Sequence, residues 1–154
     1  LDVNTGEVLA MVNQPSYNPN DRSQLYPERY RNRAITDIFE PGSSIKPLIV
    51  ASALESGEYR PSSVVDTAPG YVVVGPKKIE DSKNLGRVSL TTILARSSNV
   101  GVTKLAMTLQ PDQHWGTMAQ FGLGTLKASG FPGESAGSLI PYNQWRPINQ
   151  ATLA

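Results

Sequence analysis

Apolar residues recur at helical spacing in several stretches of the chain. Ile45, Leu48, Ile49 and Ala53 keep the three-and-four rhythm of an amphipathic helix. Pro41-Gly42 breaks the chain ahead of it, and Gly57 is placed to end it as a C-cap. Pro47 sharpens the start. It biases Lys46 away from helical angles, and it is tolerated only in a first turn, where its missing N–H costs nothing. The helix is therefore expected to begin at Ser43 or Ser44. Ser89 reads as the N-cap of a helix over Leu90–Arg96. After the interruption Ser97-Ser98-Asn99, the positions Val102, Leu105, Ala106 and Leu109 predict another. Pro111-Asp112 opens a further helix that carries Trp115, Met118 and Phe121, stopped by Gly122 and Gly124.

Alternation and turn residues predict the strands. Leu1–Val3 and Val8–Val12 flank Asn4-Thr5-Gly6-Glu7, a β-hairpin signal. Val64–Asp66, Tyr71–Val74 and Lys77–Glu80, divided by Pro69-Gly70 and Gly75-Pro76, predict a small ribbon. The polar segment from Asn20 through Tyr26, Pro27 and Tyr30 is expected to be irregular or a short helix. Residues 125–147, rich in Gly, Pro and Ser, predict a long loop. The opening Leu1-Asp2-Val3 reads as mid-strand, and the closing residues 148–154 as a helix cut short. The expectation is one domain, 1–154, excised from a larger one.

Composition narrows the chemistry. A net charge of +1 does not supply a basic footprint for nucleic acid. Arg29, Arg31 and Arg33 alternate with Glu28 and Asp37 and read as a solvated face. With no cysteine, thiol catalysis, disulfides and cysteine metal sites are excluded. No apolar run approaches the ~20 residues of a membrane span. No cluster has metal-ligand spacing, and no cofactor is implied. The single histidine, His114, reads as a surface residue rather than part of a triad; Trp115 and Trp145 read as packing.

Ser43-Ser44-Ile45-Lys46 is the stretch that carries chemistry. A serine hydroxyl becomes a nucleophile when a base takes its proton, and a lysine with a lowered pKa is such a base. Ser43 and Lys46 are three apart, one turn of helix, and so share a side. The helix start adds free N–H groups and partial positive charge near a developing oxyanion. The bland alternative is that Ser43 only caps a helix and Lys46 is solvated. Ser-x-Asn occurs twice, at Ser82-Lys83-Asn84 and at Ser97-Ser98-Asn99. The first lies among charged and turn residues. The second falls between two amphipathic helices, where side chains can be held in a partly buried cleft, and is preferred. Ser97 would relay a proton and Asn99 would hold Lys46 or a substrate amide; the competing reading is turn and capping.

The two motifs together resemble the penicilloyl-serine transferases. Arg33-Ala34, Phe39-Glu40-Pro41-Gly42-Ser43-Ser44-Ile45-Lys46-Pro47, Ser97-Ser98-Asn99-Val100-Gly101, Phe121-Gly122-Leu123-Gly124 and Phe131-Pro132-Gly133-Glu134 come in the order seen in class B penicillin-binding proteins. The likeness is greatest to septal, FtsI-type transpeptidases and runs from Leu1 to the last residue. It implies an α/β fold of the α+β kind, an antiparallel sheet flanked by helices plus a helical subdomain, incomplete in this chain. The family's Lys-Ser/Thr-Gly motif is expected beyond Ala154, since Lys127-Ala128-Ser129-Gly130 has the wrong spacing and setting.

The resemblance also implies the reaction. Ser43, with Lys46 as base, would crosslink peptidoglycan stem peptides at the division septum, and β-lactams would acylate Ser43. The parent would sit in the inner membrane facing the periplasm, beside cell-division membrane proteins. This stretch alone is expected to be inactive. Rivals are a non-catalytic β-lactam sensor on the same fold, a β-lactamase, and a structural domain. The β-lactamase lacks a base for a deacylating water, because Glu134 has no partner legible in the sequence.

Overall fold

Short polar segments bury too little apolar surface to support long elements, and residues 1–39 form only short ones. The computed structural model describes residues 1–21, 23 and 26–153. It divides into two units, one of Leu1–Phe39 with Thr125–Gly137, the other of Glu40–Gly124 with Ser138–Ala154.

In the first unit, α1 spans Pro27–Tyr30 and α2 spans Arg33–Thr36. Part of the segment expected to be irregular between Asn20 and Tyr26 lies outside the described residues. The predicted hairpin at the start is a turn without strands. Asp2 N–H donates to the Glu7 carbonyl at 2.9 Å and Gly6 N–H to the Asp2 carbonyl at 2.9 Å. The Asp2 carboxylate also accepts from the N–H groups of Asn4 and Thr5 at 2.8 and 3.0 Å. These local bonds satisfy the turn. Val3, Val8, Leu9 and Val12 stay exposed, so no buried face pins a ladder. The arginine cluster reads as expected for a solvated face: Arg31 pairs with Asp37 at 2.9 Å, and Arg33 donates to the Glu28 and Gln14 carbonyls. Glu134 is not without partners. It accepts from the Ser129 hydroxyl at 2.7 Å, the Ser129 N–H at 2.8 Å and the Lys127 N–H. The Ser129 hydroxyl foremost, and then these N–H groups, hold its carboxyl below the ordinary range.

The second unit is built on helices. A 3-10 turn, Gly42–Ile45, runs directly into α3, Lys46–Glu55. The boundary is thus Ile45, later than the predicted serines. Pro47 does fall within the first turn, yet Lys46 is helical at φ −55°, ψ −38°. Strand β1 is Val64–Asp66, β2 is Tyr71–Val74 and β3 is Lys77–Glu80. Strand β4, Arg87–Ser89, was not legible in the sequence and pairs antiparallel with β1, Val65 opposite Val88. β2 and β3 form their own antiparallel ribbon, Tyr71 opposite Glu80 and Val74 opposite Lys77. Helix α4 spans Leu90–Ala95, α5 Asn99–Thr108, α6 Pro111–Gln120 and α7 Pro147–Thr152. A 3-10 turn at Tyr142–Gln144 is the one regular piece described in the long loop.

Two apolar clusters hold this unit. Val50, Ala53, Leu90, Ile93, Val102, Leu105 and Leu109 join α3, α4 and α5. Ile45, Ile49, Ala106 and Met118 join α3, α5 and α6. Helix α5 contributes to both and is buried along much of its length. Its glycine is needed for close approach. A Cβ on Gly101 would lie 2.7 Å from Ile93 Cγ1 and 2.8 Å from Cδ1. Gln150 of α7 seals the far end of α5, its amide donating to the Ala106 and Leu109 carbonyls at 2.6 and 2.8 Å. These are helix C-terminal acceptors that would otherwise go unpaired.

His114 contradicts its surface reading. It is 0% exposed, with neither ring nitrogen hydrogen-bonded, and meets the Trp145 ring edge-on at 5.4 Å. The face of α6 that turns inward carries His114, Thr117 and Met118. Burial disfavours the imidazolium and lowers the pKa of His114 to about 4.

Candidate active site

The candidate site forms where three helix ends meet in the second unit. Gly42, at φ +58°, turns the chain into the 3-10 segment that carries Ser43. Ser44 turns its hydroxyl back onto the Pro41 carbonyl at 2.6 Å. No serine side chain caps α3. Ser43 instead lines a cleft of about 480 Å³ together with Asp81, Ser82, Lys83, Leu85, Ala95, Arg96, Ser97 and Asn99. Its hydroxyl makes no hydrogen bond to another described side chain.

Lys46 begins α3, and its side chain runs inward rather than into solvent; the residue is 3% exposed. Its ammonium donates to the Ser97 carbonyl at 2.7 Å, the Ser97 hydroxyl at 3.0 Å and Asn99 Oδ1 at 2.6 Å. Three donors thus meet three acceptors. Desolvation lowers the lysine pKa, and the Asp81 charge partly opposes that.

The Ser97-Ser98-Asn99 corner is made by two abutting helix caps. Ser97 N–H donates to the Leu94 carbonyl at 3.0 Å and Ser98 N–H to the Ile93 carbonyl at 2.9 Å. That is a Schellman ending of α4, with Ser97 in the left-handed position at φ +52°. Glycine is the usual occupant there. A serine in its place carries strain and aims both its carbonyl and its hydroxyl at Lys46. The next residue starts α5: Ser98 Oγ accepts from Gly101 N–H at 2.8 Å as N-cap.

Sequence reasoning missed Asp81, the residue after β3. One of its oxygens accepts from the Ser98 hydroxyl at 2.6 Å and the other from the Val100 N–H at 3.0 Å. Asn99 is tied to the same place, its amide donating to the Glu80 carbonyl at 2.8 Å. The end of the β2–β3 ribbon therefore lies beside the site. Ser82 and Lys83 of the motif not preferred also line the cleft, whereas Asn84 turns away to accept from Gly86 N–H at 2.9 Å. Among the described residues no cluster of side chains suits a metal ion.

The arrangement is a buried amine held by Ser97 and Asn99, and these two residues share an open cleft with the Ser43 side chain. This chemistry suits acyl transfer through a serine with a lysine base. The chain belongs to the penicillin binding protein transpeptidase domain family, whose model matches residues 1–154. It is 46% identical to the peptidoglycan D,D-transpeptidase FtsI of Escherichia coli K12 over 154 residues, which are 100% of this chain and 26% of that protein. It is 41% identical to the probable peptidoglycan D,D-transpeptidase PenA of Neisseria flavescens, again over 100% of this chain and 38% of that protein. The fold matches the apo transpeptidase domain of Burkholderia pseudomallei penicillin-binding protein 3 with a TM-score of 0.77 and 41% identity, over 80% of this chain and 38% of that one. The chain thus spans well under half the length of these relatives. The fold class is the one expected, an α/β fragment of a penicillin-binding protein transpeptidase.

Proposed function

We propose that the protein carrying this chain is a serine D,D-transpeptidase that crosslinks peptidoglycan stem peptides at the division septum and is acylated by β-lactams. The observation that carries this reading is the Lys46 ammonium, buried and bound by Ser97 and Asn99, the same two residues that line a cleft with Ser43. Burial favours the neutral amine. Neutral Lys46 keeps two N–H groups for Asn99 Oδ1 and the Ser97 carbonyl and turns its lone pair to the serines. Ser43 gives up its proton to that lone pair as its oxygen bonds to the penultimate D-alanine carbonyl. The terminal D-alanine leaves with a proton passed through the Ser97 hydroxyl. An amine of a neighbouring stem then attacks the ester, its proton returns through Lys46, and Ser43 is restored.

Membrane anchoring facing the periplasm belongs to the same proposal; no helix among the described residues is long and apolar enough to cross a membrane. The test uses the complete protein and a fluorescent penicillin. Labelling that persists in Ser97→Ala, more slowly, and vanishes in Ser43→Ala is the expected result. Wild-type protein that stays unlabelled, or Ser43→Ala protein that labels, refutes it.

A further inference from the structure

The corner that holds Lys46 is itself held from outside, by the Glu80 carbonyl and by the Asp81 carboxylate. Asp81 ends the β2–β3 ribbon, and its backbone N–H is fixed to the Gly70 carbonyl at 3.0 Å. Its two oxygens reach the Ser98 hydroxyl and the Val100 N–H, one residue either side of Asn99. Ser98 is 1% exposed, so this is a desolvated, charge-assisted contact rather than a surface one. Asp81 thus grips the chain on both sides of Asn99, at Ser98 next to the left-handed Ser97 and at Val100. We propose that Asp81 is a positioning residue for acyl transfer: through Ser98 and the Val100 N–H it sets the Ser97–Asn99 corner against Lys46. This rests on the transpeptidase reading above.

The charge acts in a known direction. Asp81 favours the ammonium, against the desolvation that disfavours it. Lys83 and Arg96 are the cationic groups on the cleft wall. Glu80 offers the corner its carbonyl, while its carboxylate pairs with Lys78. Acylation requires the neutral amine, so its rate climbs as pH rises through the Lys46 pKa. Removing the Asp81 charge lowers that pKa and moves the acid limb to lower pH.

The experiment measures acylation rate by a fluorescent penicillin against pH, on the complete protein. In Asp81→Asn the plateau rate is expected to fall about tenfold and the acid limb to move down by about half a pH unit or more. Asp81→Glu, which keeps the charge on a longer arm, restores the limb to its wild-type pH with the plateau still reduced. Ser98→Ala removes the bridging hydroxyl and keeps the charge; it lowers the plateau and leaves the limb in place. A merely structural carboxylate would lower the amount of folded protein without shifting the limb. An Asp81→Asn rate within twofold of wild type, or a loss with an unmoved limb, overturns the proposal while leaving Ser43 acylation intact. If Asp81→Asn fails to fold, Ser98→Ala decides: a wild-type plateau overturns the proposal. Wild-type protein that never labels sinks the transpeptidase reading and this one with it.

Discussion

The left-handed serine offers a way to separate strain from chemistry at one position. Ser97 sits at φ +52°, where an L side chain costs about 1–2 kcal/mol that glycine does not incur. Its hydroxyl also accepts one of the three Lys46 protons, at 3.0 Å. Ser97→Ala removes the hydroxyl and keeps the strain. Ser97→Gly removes both. The loss of the hydroxyl is common to the two variants and cancels in their difference, leaving the backbone term. Glycine's extra freedom in the unfolded chain offsets part of it, by roughly 0.5–1 kcal/mol. Ser97→Gly is therefore expected to be more stable than Ser97→Ala by about 1 kcal/mol, or about 2–4 °C in the unfolding midpoint of a domain of this size or larger. Acylation by a penicillin should fall equally in both, because the lost group is the same. Thermal unfolding of the complete protein, followed with labelling rates on the same samples, checks both halves. A glycine variant no more stable than the alanine one would refute the strain argument. Unequal acylation losses would show that the backbone at Ser97, and not its hydroxyl, carries the chemistry.

Other expectations concern how the helices support the site. Gly101→Ala places a methyl 2.7 Å from Ile93 Cγ1 in a fully buried contact and should destabilise by about 1–3 kcal/mol. Combined with Ile93→Ala, the two losses should sum to clearly more than the double variant loses in denaturant unfolding; strict additivity would contradict the packing. His114 predicts acid sensitivity: with its folded pKa near 4 against 6.5 unfolded, the stability it protects is complete above pH 6.5 and is lost as pH falls toward 4, by about 3 kcal/mol in all. His114→Phe should flatten the dependence of the unfolding midpoint between pH 7 and pH 4, and an unchanged slope would show that other groups drive it.

What could be read from the sequence depended on how local the cause was. The cap at Ser89, the β2–β3 ribbon and the helices around Val102 and Met118 follow from neighbours a few residues apart, and they form as expected. Strand β4 was invisible because Arg87-Val88-Ser89 is short, half polar, and gains its ladder from Val64–Asp66, far back in the chain. His114 was misread as a surface residue because a lone histidine near a helix start does not announce which way it faces. Helix α6 buries the histidine, while Phe121 at its end is 63% exposed. Lys46, Ser97 and Asn99 were nominated by motif, but nothing local announced that Ser97 would take a glycine's conformation. Asp81 is 16 residues before Ser97, in a turn between charged neighbours. Its importance comes only from the ribbon folding back onto α5.

These particulars bear on why the site is built at helix ends rather than on a loop. The start of α3 brings Lys46, the end of α4 brings Ser97, and the start of α5 brings Ser98 and Asn99. Each end leaves backbone groups that an element interior would pair. The Ser97 carbonyl is one, and Lys46 takes it; the Val100 and Gly101 N–H groups are others, and Asp81 and Ser98 take those. Binding the lysine and capping the helices are consequently the same set of hydrogen bonds. A substitution in this set changes fold stability and Lys46 together, so stability alone cannot assign a role to any of its members. On the transpeptidase reading proposed above, the acid limb of acylation reads the lysine's protonation, and a shift in it separates a group that tunes Lys46 from one that merely holds a helix end.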